Sequence, residues 1–310
     1  MFQLKKFLRD YPTIPVVASI LVLGIVLGGL LGRRNFSRPN QTRGEFEKQV
    51  FDLKPEPIKQ EPLGVLRQVR RFVQPEKVVL PKTSRESRAL FKQAQRPRLA
   101  FVIDDIGYNT DYAPLLFSID RPLTIAILPQ LPYSEYYALE AKKRDFETLL
   151  HLPLEPESRK ADAGPGKVMV DMGPTEISSL LEKNFASVPG VTGVSNHMGS
   201  RATQDRVLMY LVLKELKQRK LFFLDSLTHR DSVAHDVADA LGVPALKRDV
   251  FLDGEDDFDY IRARLEDLAR VGRKTGQAVA IGHPRENTLL AIHEAIPRLE
   301  AEGFEIVPLR

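Results

Sequence analysis

The sequence predicts an α/β fold, a (β/α) barrel spanning residues 98–310, and three observations point to it. Short apolar runs alternate with stretches of helical periodicity along this whole region. Seven or eight such units fill about 213 residues, which suits a barrel better than a doubly wound open sheet, the rival architecture. Asp and His fall at the ends of the apolar runs, where parallel βα folds gather side chains on one face.

The strands are expected at 99–103, 123–128, 148–152, 191–196, 221–225, 245–252 and 278–282, with a last run at 305–309. Helices are expected at 133–144, 175–187, 203–219, 232–241, 257–273 and 286–301. Pro174 stands just before the Thr175 start, and Val207, Leu208, Leu211, Leu213 and Leu216 fall near one face of the 203–219 helix. Strands separated by crossover helices imply a parallel sheet.

The region ahead of the barrel reads differently. Residues 1–12 form a short cationic segment expected in the cytoplasm, with Lys5, Lys6 and Arg9. Thr13 to Gly32 carries no charge and is long enough to span a bilayer, so it reads as an uncleaved signal anchor. Residues 33–97 form a basic, Pro- and Gln-rich linker with 16 Lys/Arg against 7 Asp/Glu. The chain's net charge of +4 therefore belongs to the tether, and residues 98–310 are acidic. That distribution gives no reason to expect nucleic acid as a partner; a solvated spacer beside anionic headgroups is the simpler reading. The expected location is the inner membrane, single-pass, with the barrel domain in the periplasm. The absence of cysteine excludes disulfides, thiolate zinc sites and a cysteine nucleophile.

The polar residues at strand ends carry the chemistry. Asp104 and Asp105 close the first strand, His151 the third, Asn196 and His197 the fourth, Asp225 the fifth and His283 the seventh, with Asp253 at the end of the sixth. His229, His235 and His293 fall in loops or helices and read as ordinary polar residues. Two adjacent carboxylates repel, so a fold that keeps them at a strand end usually gives them a cation or a proton to handle. Carboxylate plus neutral imidazole is the donor mixture for zinc or a similar divalent ion. Gly164-Pro165-Gly166 is no dinucleotide or phosphate loop, because proline occupies its centre. Ser195 and Ser200 lie near His197, but the chain has no Gly-x-Ser-x-Gly elbow.

Taken together, the runs LAFVIDDIGYN, LLHLPLEP, GVSNHMGSRAT, FFLDS and AIGHPRENT resemble the divergent polysaccharide deacetylases, a branch of the carbohydrate esterase superfamily. The resemblance covers roughly 98–310 and implies a distorted (β/α)7 barrel. It also implies a metal-dependent hydrolase that removes N-acetyl or O-acetyl groups from an envelope polysaccharide, with metal-bound hydroxide attacking the acetamide carbonyl. The superfamily's first motif assigns general base to Asp104 and metal ligand to Asp105. The second motif, His-(Ser/Thr)-x-x-His, is matched by His151-Leu-Pro-Leu-Glu155, so Glu155 stands where a second histidine is expected. The third is replaced by Asn196-His197-Met198-Gly199, and His197 is the expected source of the missing imidazole, with Glu155 the alternative ligand. Asp225 resembles the fourth motif and, with Asn196, is expected to bind substrate. Ile281-Gly282-His283 resembles the fifth, whose histidine donates a proton. Zinc is the expected ion. The two altered motifs leave a second expectation, a vestigial site that binds glycan or assists envelope assembly without turnover.

Overall fold

A computed structural model describes Gly44, Lys48, Gln49 and residues 96–310. The expected cytoplasmic segment 1–12, the anchor 13–32 and nearly all of the linker 33–97 lie outside the described residues. Among the described residues, no helix is long and apolar enough to cross a membrane.

The elements alternate as the sequence predicts. In order they are β1 (Arg98–Ile106), α1 (Ala113–Leu116), β2 (Thr124–Ile127), α2 (Ser134–Lys143), β3 (Glu147–Leu154) and α3 (Pro174–Ser187). There follow β4 (Gly193–Met198), α4 (Arg206–Arg219), β5 (Phe222–Asp225), α5 (Ala234–Leu241), β6 (Ala245–Lys247) and β7 (Val250–Phe251). The chain closes with α6 (Phe258–Thr275), β8 (Gln277–Gly282), α7 (Glu286–Ala301) and β9 (Glu305–Ile306). The strands lie in one parallel sheet, ordered β6-β5-β4-β3-β2-β1-β8-β7, with β9 added beside the first residues of β1.

Two differences from the sequence reading have local causes. The expected strand 245–252 is two short strands on opposite edges of the sheet, joined through Arg248 and Asp249. Two residues cannot cross an open eight-strand sheet, so the sheet curls until its edges meet, which is consistent with a (β/α) barrel. The expected helix 203–219 begins as a 3-10 turn, Ala202–Gln204, and becomes α-helical after Asp205. The Asp205 side chain accepts from the Leu208 N–H at 2.8 Å, an N-cap that fixes the start of α4.

The sheet has two apolar faces. Its outer face packs on the helices, in a large core that includes Phe101, Ile103, Leu150, Leu213, Leu265 and Ile292. Its inner face is a smaller cluster of Ala100, Val102, Ala126, Leu149, Phe222, Leu224, Val279 and Ile281, with Leu309 packed against it. Gly193 makes room there, because a Cβ at that position would sit 2.6 Å from the Phe222 ring. Period-two alternation carries the inner face along each strand toward its C-terminal end.

Candidate metal centre

The inner-face register delivers the site. Residues 100 and 102 of β1 point inward, so Asp104 follows in phase; Leu149 leads to His151 in β3, and Ile281 to His283 just past β8. His151 lies opposite Ser195 in the β3–β4 pairing, and His197 comes two residues later. Asp105 would face outward by alternation, yet it joins the same group. Between Ile103 and Ile106 the register with β2 slips, three steps of β1 matching two of β2, and Asp105 has a left-handed backbone at φ 58°. The bulge turns a second, consecutive carboxylate toward the interior.

Three side chains converge. Asp105 Oδ1 lies 2.8 Å from His197 Nδ1 and 3.1 Å from His151 Nε2, and the three donor atoms lie within 4.8 Å of one another. These approaches are close, but they lack hydrogen-bond geometry: Asp105 Oδ1 is buried with no hydrogen-bond partner among the described residues. A carboxylate oxygen without a hydrogen-bond partner, set this close to two imidazole nitrogens, is what a cation's ligands present. The residues therefore fit a divalent ion held by one carboxylate and two imidazoles with positions left open. His151 is held from behind, its Nδ1 2.7 Å from the buried Ser195 hydroxyl, which leaves Nε2 for the centre.

Two proton-handling groups flank this trio. Asp104 is buried, with Oδ2 3.6 Å from His151 Nε2 and Oδ1 without a hydrogen-bond partner among the described residues. Burial pushes its pKa up; the histidines, His151 foremost, pull the other way, and the Asp105 charge adds to the rise. Burial would also raise Asp105, but His151 and His197 draw it far below the usual carboxylate range. His283 Nε2 stands 3.6 Å from Asp105 Oδ2. Its Nδ1 is 2.9 Å from Asp253 Oδ1, and Asp253 Oδ2 accepts from the His283 N–H at 2.7 Å and from Thr288 Oγ1 at 2.9 Å. Burial works against the imidazolium, yet the Asp253 carboxylate wins and raises the His283 pKa. The same contact holds Asp253 below its ordinary value despite its own burial.

The remaining expected residues are placed elsewhere. Glu155, the alternative ligand, lies outside the converging group: Oε1 meets Arg201, and Oε2 accepts from the Val170 N–H at 2.7 Å. Asn196 braces the neighbouring loops, accepting from the Ser226 N–H at 2.8 Å and donating to the Met198 carbonyl at 2.9 Å. Asp225 accepts from the Leu227 N–H at 2.9 Å and from Ser232 Oγ at 2.7 Å. These bonds brace the β4 and β5 ends. Asp253 is the residue whose role sequence reasoning missed; its place at a strand end was visible, but its partner lies 30 residues away.

The match to the divergent polysaccharide deacetylase family extends over residues 101–310. The chain belongs to that family. Among relatives, an uncharacterized protein of Haemophilus influenzae is 35% identical over 210 residues, covering 68% of this chain and 74% of that one. The uncharacterized protein YibQ of Escherichia coli is 32% identical over 202 residues, covering 65% and 63%. A crystal structure of the uncharacterized protein ATU2773 from Agrobacterium tumefaciens matches with a TM-score of 0.67 at 26% identity, covering 70% of this chain and 89% of that one. In this member of the family, the site just described lies at the C-terminal ends of β1, β4 and β8 and in the C-terminal half of β3.

Proposed function

We propose that this chain is a metal-dependent deacetylase of an envelope polysaccharide, built on a distorted (β/α)7 barrel and using zinc or a similar divalent ion. In this reading, residues 13–32 hold it at the inner membrane with the barrel on the periplasmic side. The observation that carries the proposal is the convergence of Asp105, His151 and His197 on one point, flanked by Asp104 on one side and His283 on the other. The chemistry a bound divalent ion supplies is Lewis acidity, which polarises a carbonyl and acidifies water. Asp104, whose raised pKa makes it the stronger base, accepts a proton from the attacking water. His283, charged and steered by Asp253, presents Nε2–H to the departing nitrogen of an acetamide.

The test is metal analysis of the purified full chain together with acetate release from N-acetylglucosamine oligomers. We expect about one divalent ion per chain, lost in Asp105→Ala along with acetate release. His283→Ala should keep the ion and lose the release. Equal metal content before and after Asp105→Ala overturns the proposal. The second reading, a site that binds without turnover, draws on Glu155, which replaces a superfamily ligand and is locked to Arg201. Metal retained with no acetate released would favour it.

A further inference from the structure

Beside the candidate metal centre lies a cavity of about 250 Å³ that shares Asp105 and His283 with it. This volume lies just below the usual range for small-molecule pockets and suits about one sugar ring rather than a chain. One wall is aromatic: Tyr108 and Tyr112 line it, although they are 52% and 37% exposed. Half-exposed tyrosines beside a cleft offer flat apolar faces with a polar tip, the surface on which a sugar ring can rest. Arg285 also lines the cavity, and its Nη1 donates to the Asp253 main-chain oxygen at 2.9 Å. That bond fixes the guanidinium without neutralising it. Among the described residues, no carboxylate lies within ion-pair distance of Arg285.

We propose that this cavity is a subsite for a sugar bearing a carboxylate, with Arg285 pairing the carboxylate and Tyr108 and Tyr112 holding the ring. The inference rests on the glycan reading above and narrows its substrate class. A neutral polysaccharide would leave this half-buried guanidinium without an ion-pair partner among the described residues. Arg–carboxylate pairs are planar and strongly directional, so such a cation selects an anionic partner. Asp105 on the inner wall is occupied by the histidines, its oxygens lying 2.8 Å from His197, 3.1 Å from His151 and 3.6 Å from His283, and it makes no ion pair with Arg285 among the described residues.

The experiment compares binding of N-acetylmuramic acid and its methyl ester to the full chain by calorimetry. The ester removes the negative charge and adds a single methyl group. The acid should bind about tenfold more tightly than the ester, and added salt should erode that advantage. Arg285→Gln should abolish the difference and Arg285→Lys keep part of it, while Tyr108→Ala should weaken acid and ester alike. Equal affinity of acid and ester in the wild-type chain overturns the inference, as does a preference that survives Arg285→Gln. Free acetate competing as strongly as the sugar acid would reduce the cavity to a bare anion site and also overturn it. Because binding needs no turnover, failure here is distinct from failure of the deacetylase reading. Acetate released equally from acid and ester keeps the deacetylase and removes the subsite; charge-selective binding without acetate release does the reverse.

Discussion

At the scale of single residues, the site depends on partners that hold its reactive atoms in one orientation. Ser195 fixes His151 through Nδ1, so Ser195→Ala should weaken divalent-ion affinity by about 10- to 100-fold without unfolding the chain, measured by competition with a chelating dye. Asp253 does the same for His283. Because the folded pKa of His283 is raised, its stabilising charge is fully present below the ordinary value of about 6.5 and is lost as pH climbs through the folded value. Asp253, whose pKa is lowered, contributes above the ordinary carboxylate range and fails as pH falls through its folded value. The pair is therefore strongest between the two. Asp253→Asn should move the His283 titration, followed by NMR, to lower pH and shift the alkaline limb of activity with it; an unmoved titration would show that Asp253 does not set the proton donor.

At the scale of elements, alternation explains most of what could be read from the sequence. Asp104, His151, His197 and His283 all sit in phase with small or apolar inner-face residues, so strand ends marked by Asp and His were legible as a set. What was not legible depends on register or on distant partners. Nothing in Val102-Ile103-Asp104-Asp105 announces the bulge that turns Asp105 inward, because the slip exists only relative to β2. The family resemblance offers Glu155 as an alternative ligand, and nothing in the sequence signals that Arg201, 46 residues further on, pairs with it. The break at Arg248 and Asp249 was marked by the charged run Lys247-Arg248-Asp249, but that run does not say that the two halves lie on opposite edges of the sheet. Packing between neighbouring strands is equally tight, and Gly193→Ala should cost about 1–3 kcal/mol as the new methyl meets Phe222, measured by denaturant unfolding.

At the scale of the whole molecule, the last four residues matter more than their position suggests. Val307 N–H donates to the Leu99 carbonyl at 3.0 Å, Leu309 N–H donates to Glu147 Oε2 at 2.8 Å, and the Arg310 guanidinium lies 5.8 Å from the Phe222 ring centre. This tail crosses the N-terminal ends of β1, β3 and β5 and lays Leu309 on the inner apolar cluster. Truncation after Ile306 should lower stability by about 3 kcal/mol, seen as a drop in melting temperature, while leaving the metal ligands in place.

The direction of β1 settles which way the centre looks. The strand starts at Arg98, where Pro97 pairs with Glu305, and runs to the two carboxylates, roughly 23 Å away at about 3.3 Å per residue. Both the incoming chain and the C-terminal tail are thus gathered at one pole, and the ligands at the other. A label or tether attached at Arg96 therefore enters at the pole opposite the two carboxylates and leaves that end of the strands uncovered.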